Sequence, residues 1–322
     1  MGKKLLGLCL AAGILLALFS CEASRNERTQ IAVIVKATDS DFWQKVRDGV
    51  NAASIEYNIA VTFDGAESEE DYEEQNRLIQ KAIDDNADAI VLSAISYDGS
   101  TAYVDKAASR GIKIVTIDSN TSSEAVSLFI GTDNRDAGKQ AAQAAVKDFP
   151  PVSEIRIGLV GLYESTENGR QREEGFREEL KNVPNARIVA SVNVASDTES
   201  ATEGALSLLK NHPEINVLVG FNEWMTLGVG NAIDARGLAD SVRGIGFDTN
   251  EKCIAMLEDG ILDALVAQNP FAIGYLGVKA ANDLVADSLA YGDQKEEYTA
   301  VTVVTTENLD DRDVQKILFR FR

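Results

Sequence analysis

Polar side chains recur at the ends of apolar runs in this chain, and their types are those that bind hydroxyl groups. Asp118 closes Ile112–Ile117, Asn222 follows Val219–Gly220, Asp248 ends Ile245–Gly246–Phe247 and Gln268 ends Leu265–Val266–Ala267. Asp133–Asn134 follow Ile130–Gly131–Thr132, and Arg170 stands in Asn168–Gly169–Arg170–Gln171–Arg172, leading into Glu174–Gly175–Phe176. Carboxylates, amides and a guanidinium can each take two adjacent hydroxyls in a fork. The apolar C–H face of a sugar ring needs an aromatic surface as well, and Phe42–Trp43 offers one. Taken singly, each polar residue also reads as a helix cap or a turn closer. Their recurrence in both halves points to one shared cleft, because an open α/β sheet binds ligands beyond the carboxyl ends of its strands.

The elements that must position these groups alternate. Ile31–Val35 is a β-branched apolar run that reads as a buried strand; a polar loop and a helical pattern with Phe42, Val46 and Val50 on one face follow. Ser40 or Asp41 can cap that helix. Two rings in one first turn cannot both face the same core, so at least one faces the cleft. Strand patterns then fall at 60–63, 88–92, 112–117 and 126–130, with helical patterns at 70–86, 100–110 and 134–148. Pro150–Pro151 interrupts the series, and it restarts with strands at 155–160, 187–193, 215–219, 243–247 and 262–267. The helices of this half are 168–182, 198–211, 223–236, 250–258 and 271–288. Strands alternating with helices imply βαβ units and parallel sheets, here as two similar halves in tandem. Residues 289–298 read as a loop, Ala300–Thr305 as a last strand and 308–322 as a polar tail with a final Leu318/Phe319.

Composition removes several function classes. The net charge is −20, which repels nucleic acid and anionic lipid. His212 is the only histidine, and the cysteines are Cys9, Cys21 and Cys253. A histidine-based triad, a zinc site or another metal centre is therefore not expected. No GxxxxGK[ST] or GxGxxG opens a helix, an anion would face Asp118 and Asp248, and no cofactor is implied.

Lys3 and Lys4 precede the apolar stretch Leu5–Phe19. That stretch is shorter than the ~20 residues a membrane-spanning helix needs, and it reads as a secretory signal over residues 1–20. Its end, Leu18–Phe19–Ser20–Cys21, resembles the lipobox of bacterial lipoproteins, in which the cysteine is acylated. Residues 21–30 are polar and read as a tether.

The opening stretch, with Phe42–Trp43 ahead of Lys45 and Arg47–Asp48–Gly49, resembles the periplasmic sugar-binding proteins of the ribose/galactose/allose type. The tandem halves extend the resemblance over residues 31–306. It implies a type I periplasmic-binding-protein-like fold: α/β, two similar lobes, each a parallel sheet flanked by helices, joined by a three-crossing hinge. The crossings are expected near Thr132–Asp133, Gln268–Asn269 and Tyr298–Val301. One lobe then holds 31–132 plus about 269–298, and the other 133–268 plus about 300–322. Phe42 and Trp43 match the family's ring-sandwiching aromatics, and Asp118, Arg170, Asn222, Asp248 and Gln268 its hydrogen-bonding set. Lys36 stands where allose-type members carry lysine. Ser119 replaces a common arginine and Asp41 a common proline, and no ring is found near Ser196 for the second sugar face.

The resemblance implies a monomeric lipoprotein, held to the membrane by lipid alone through Cys21 in the periplasm or cell envelope. It would pass a monosaccharide to the membrane permease of an ABC importer. A sugar-sensing protein acting on a chemoreceptor or sensor kinase is the alternative. An enzyme such as a glycosidase would use Asp118 and Asp248 as its paired carboxylates, but a hydroxyl-forking cleft needs the same residues and no catalysis is expected. A DNA-binding repressor with such a core would need a basic helix-turn-helix segment ahead of residue 31, where the signal lies.

Overall fold

The computed structural model describes residues 28–162 and 166–318. The expected signal, most of the tether and Cys21 lie outside them. The first strand, β1 (Gln30–Val35), is buried on both faces, as its unbroken apolar run requires. Its sheet also holds β2 (Ala60–Gly65), β3 (Ala89–Leu92), β4 (Lys113–Ile117), β5 (Leu128–Thr132) and β11 (Glu296–Thr299), in the order β11-β5-β4-β3-β1-β2, all parallel. The second sheet holds β6 (Ile155–Leu162), β7 (Ala186–Val194), β8 (Val217–Gly220), β9 (Arg243–Phe247), β10 (Ala264–Ala267) and β12 (Thr302–Val304), in the order β12-β10-β9-β8-β6-β7. Only β12 runs antiparallel to its neighbour. Both sheets reverse strand order around their first strand, which opens a crevice at its carboxyl end.

Helices cover both faces of each sheet. The first lobe carries α1 (Asp41–Glu56), α2 (Tyr72–Asp84), α3 (Thr101–Ser109) and, from far along the chain, α9 (Pro270–Ala286). The second carries α4 (Asn134–Val146), α5 (Glu167–Leu180), α6 (Thr198–Asn211), α7 (Glu223–Ala235), α8 (Glu251–Glu258) and α10 (Arg312–Leu318). The chain passes between the sheets after Thr132, after Ala267 and between Thr299 and Thr302. Two of these crossings are tied together, since Thr132 Oγ1 donates to Gln268 Oε1 at 2.8 Å.

Glycines fix the spacing that matters for the site. A Cβ on Gly138 of α4 would run into the Arg172 carbonyl of α5, and one on Gly175 of α5 into the Arg135 carbonyl of α4. The two helices can pack this closely only without those side chains, and the packing sets where the first turns of α5 point.

Two elements differ from the sequence reading. Glu296–Thr299 begins within 289–298, the stretch read as a loop, yet it pairs with β5 as an edge strand. Its side chains are largely exposed, so no apolar run announces it. Within the expected polar tail, Arg312–Leu318 is a helix that buries Val314 and Leu318 against the second lobe.

Candidate functional site

The carboxyl ends of the two sheets face one another across a cleft. On the first lobe it is lined by Lys36 after β1, Ser40, Phe42 and Trp43 at the start of α1, Glu69 after β2 and Asp118 after β4. Asn168 and Arg172 from α5, Asn222, Glu223 and Trp224 at the start of α7, Asp248 after β9 and Gln268 after β10 form the other wall.

Local sequence explains the placement. Ser40 caps α1, its Oγ accepting from the Trp43 N–H at 3.3 Å. The Phe42 and Trp43 rings then meet edge to face, 4.9 Å between centroids. Trp43 is 2% exposed, and its Nε1 donates to Glu69 Oε1 at 2.9 Å. Asn222 caps α7 through Oδ1, accepting from the Met225 N–H at 2.9 Å, so its cap and cleft positions coincide. Asp118 and Asp248 occupy corresponding places in the two sheets. Each has positive φ, 58° and 68°, and each donates its N–H to the adjacent strand, Ile130 O and Val266 O. That conformation is uncommon outside glycine and turns both carboxylates out of the strand direction toward the cleft.

The polar groups form two connected sets. Lys36 Nζ lies 3.0 Å from Asp118 Oδ2 and donates to Asn168 Oδ1 at 3.2 Å. Asp118 also accepts from Ser93 Oγ at 2.9 Å and from Asn168 Nδ2 at 3.1 Å. In the second set, Arg172 donates to Asn134 Oδ1 at 2.8 Å, the Phe221 carbonyl at 2.9 Å and Gln268 Oε1 at 2.8 Å, with its guanidinium over the Phe247 ring. Gln268 Nε2 passes the polarity on to Asp248 Oδ1 at 2.6 Å. Burial holds the Asp248 carboxyl above the usual carboxylate range, opposed by the Arg172 charge and the Gln268 hydrogen bond.

Several contacts cross from lobe to lobe. Besides Lys36–Asn168–Asp118, the Phe42 N–H donates to Glu223 Oε2 at 3.3 Å and Lys45 Nζ to the Thr249 carbonyl at 3.0 Å. The Ser196 N–H donates to Glu70 Oε1 at 2.7 Å. The lobes therefore meet through polar groups.

Of the expected site residues, Lys36, Phe42, Trp43, Asp118, Asn222, Asp248 and Gln268 line the cleft. Arg170 does not. It is exposed on α5 and pairs with Glu174 Oε1 at 2.6 Å on its own helix, while Arg172, two residues on, is the buried guanidinium. Helix phase is the reason: Asn168, Arg172 and Phe176 recur every four residues on the buried face, and position 170 points away. The sequence reading also missed Ser40, Glu69, Asn168, Glu223 and Trp224. Trp224 supplies an aromatic ring on the second wall, where none was found near Ser196. It stands in Asn222–Glu223–Trp224 directly after a strand, the position that singled out Asn222.

Glu223 has a testable electrostatic consequence. Burial pushes its carboxyl from 4.5 up to about 7, with Asp248 and Asp41 adding to the shift and the Asn250 amide and Phe42 N–H opposing it. The unfolded chain loses this proton near 4.5 and the folded protein keeps it to about 7, so the group's contribution to stability falls as pH rises across that window and is level above it. The shift corresponds to about 3 kcal/mol. Urea denaturation of the wild type and Glu223→Gln at pH 5 and pH 8 is expected to show the variant gaining on the wild type at pH 8. Equal pH slopes would contradict the placement of this carboxyl.

The family model described as a periplasmic binding protein domain matches residues 31–288. The D-ribose/D-allose-binding protein of Pseudomonas aeruginosa is 26% identical over 284 residues, covering 86% of this chain and 88% of that protein. Among solved structures, an ABC transporter solute-binding protein from Agrobacterium vitis with bound D-fucose is 30% identical, with a TM-score of 0.85 over 90% of this chain and 100% of that one. A carbohydrate transporter solute-binding protein from Agrobacterium radiobacter in complex with D-arabinose is 28% identical, with a TM-score of 0.87 over 91% and 100%.

Proposed function

Because the chain belongs to the periplasmic binding protein family, we propose that it captures a monosaccharide between its lobes and delivers it to the permease of an ABC-type importer. The observation that carries this reading is the cleft itself: paired strand-end carboxylates, Asp118 and Asp248, face rings from both lobes, Phe42, Trp43 and Trp224. Carboxylates and amides take hydroxyls, and the rings take the apolar sugar face. The sugars bound by the two Agrobacterium proteins support the same ligand class.

The protein acts by binding rather than by catalysis. Asp118 is held by Lys36, Ser93 and Asn168, and Asp248 by Gln268, which suits fixed hydrogen-bond acceptors. Lys36 joins one edge of the site, and lobe closure brings the two polar sets onto one ligand. A thermal-shift screen against pentoses, hexoses, polyols and nucleosides tests this. A true ligand raises stability by ~4 kcal/mol at a thousandfold excess over Kd. A flat response across the saccharides would overturn the assignment.

Lipid attachment at Cys21 completes the proposal, placing a monomeric receptor at the membrane surface on the periplasmic side. The Leu18–Phe19–Ser20–Cys21 ending supports it. In a host with lipoprotein processing, the wild type is expected in the membrane fraction and Cys21→Ser in the soluble fraction. Equal solubility without detergent would contradict the anchor.

A further inference from the structure

The charges of the cleft do not balance. Its lining carries four carboxylates, Glu69, Asp118, Glu223 and Asp248, against two cations, Lys36 and Arg172. Both cations already have partners. Lys36 sits on Asp118 and Asn168, and Arg172 uses three of its five N–H donors on Asn134, the Phe221 carbonyl and Gln268. Lys45 reaches toward the same region but donates to the Thr249 and Leu318 carbonyls.

The hydrogen bonds to Glu69 and Glu223 come from neutral donors, and the Lys36 charge acts on Glu69 from beyond hydrogen-bond distance. Glu69 accepts from the Trp43 indole at 2.9 Å, and Glu223 from Asn250 Nδ2 at 2.9 Å and the Phe42 N–H. Among the described residues neither has a basic group within 4.0 Å. A carboxylate removed from water is costly unless a cation pairs with it. The site is fixed independently of these two acids, by the fold, the hydroxyl-binding pair Asp118 and Asp248 and the rings. The acids bear on which sugar enters it. The same rings favour a cation as well, since an ammonium is attracted to an aromatic face.

We propose that the cleft takes a monosaccharide bearing a protonated amine, with Glu223 and Glu69 supplying the counter-charge for the ammonium. This rests on the monosaccharide reading above and narrows it. Glu223 is the principal partner, because it is the more buried of the two and bridges the lobes from the start of α7 to the first turn of α1. An amino sugar would satisfy it with three donors while its ring hydroxyls use Asp118 and Asp248. A neutral sugar leaves that place to a proton, consistent with the upward displacement of the Glu223 carboxyl to about 7.

Calorimetry on the full chain at neutral pH tests the proposal with matched pairs on the glucose, galactose, mannose and allose frames. Each amino sugar is compared with its hydroxyl parent, and N-acetyl-D-glucosamine serves as a neutral amide control. At least one amino sugar is expected to bind about tenfold or more tightly than its parent. Glu223→Gln is expected to bring that ratio near unity, and Glu69→Gln to reduce it. If every neutral parent that binds does so as tightly as its amine, or if Glu223→Gln leaves the ratio intact, the charge argument fails and the monosaccharide reading stands. If no saccharide binds, both fall.

Discussion

Arg172→Ala is expected to destabilise the protein by about 3–5 kcal/mol and to abolish tight ligand binding. The side chain is 2% exposed and joins three protein acceptors on α4, on β8's outgoing loop and on Gln268. Its removal leaves Asn134 Oδ1 and the Phe221 carbonyl buried without this donor, leaves Gln268 Oε1 with Thr132 Oγ1 alone, and takes away the charge that opposes the raised Asp248 carboxyl. Gln268 then loses one of the two bonds that orient it toward Asp248, which loosens the second wall of the cleft as well as destabilising it. Arg170→Ala is the control. Its pair with Glu174 is exposed and of the kind worth under ~1 kcal/mol. Chemical denaturation and calorimetry on both variants check the contrast; comparable effects would contradict the assignment of the buried guanidinium.

Trp43→Ala is expected to cost about 3–5 kcal/mol of stability through the cavity it leaves, and to weaken binding through loss of an aromatic wall. The ring is buried between the core of the first lobe and the cleft, packs edge-on against Phe42 and donates to Glu69. Trp43→Phe separates the two parts, since it keeps most of the apolar volume and deletes the Nε1 donor. The phenylalanine variant is expected to recover most of the stability but less of the affinity, measured by urea midpoint and titration. Full recovery of both would mean that the indole N–H does nothing for the site.

Much of the cleft was legible because strand ends are legible. An apolar run that stops at Asp or Gln marks both the end of a buried strand and the residue beyond it, and Asp118, Asp248 and Gln268 were found that way. Ser40 was read as a cap, and it does cap α1, but nothing in a cap signal says that the same residue lines the cleft. Arg172 was missed because the run Asn168–Arg172 holds two arginines whose burial is decided by helix phase. The four-residue spacing to Phe176 carried that phase and went unused. Glu69 and Glu223 left weaker traces: one lies in a charged loop, and the other is an acid in a first turn, where the helix dipole alone explains an acid. The edge strand Glu296–Thr299 was invisible because its residues are mostly solvent-facing and it is held by β5 rather than by its own pattern.

The chain has two tryptophans, and both line the cleft, Trp43 on the first lobe and Trp224 on the second. Intrinsic fluorescence is therefore a direct reporter of what enters between the lobes. Titration of the full chain with a monosaccharide shown to bind by calorimetry is expected to give a saturable emission change whose midpoint equals the calorimetric Kd. That change should persist, with reduced amplitude, in Trp43→Phe and in Trp224→Phe. A sugar that binds by calorimetry while the emission of both tryptophans stays constant would contradict the central claim that the ligand lies between the two sheets.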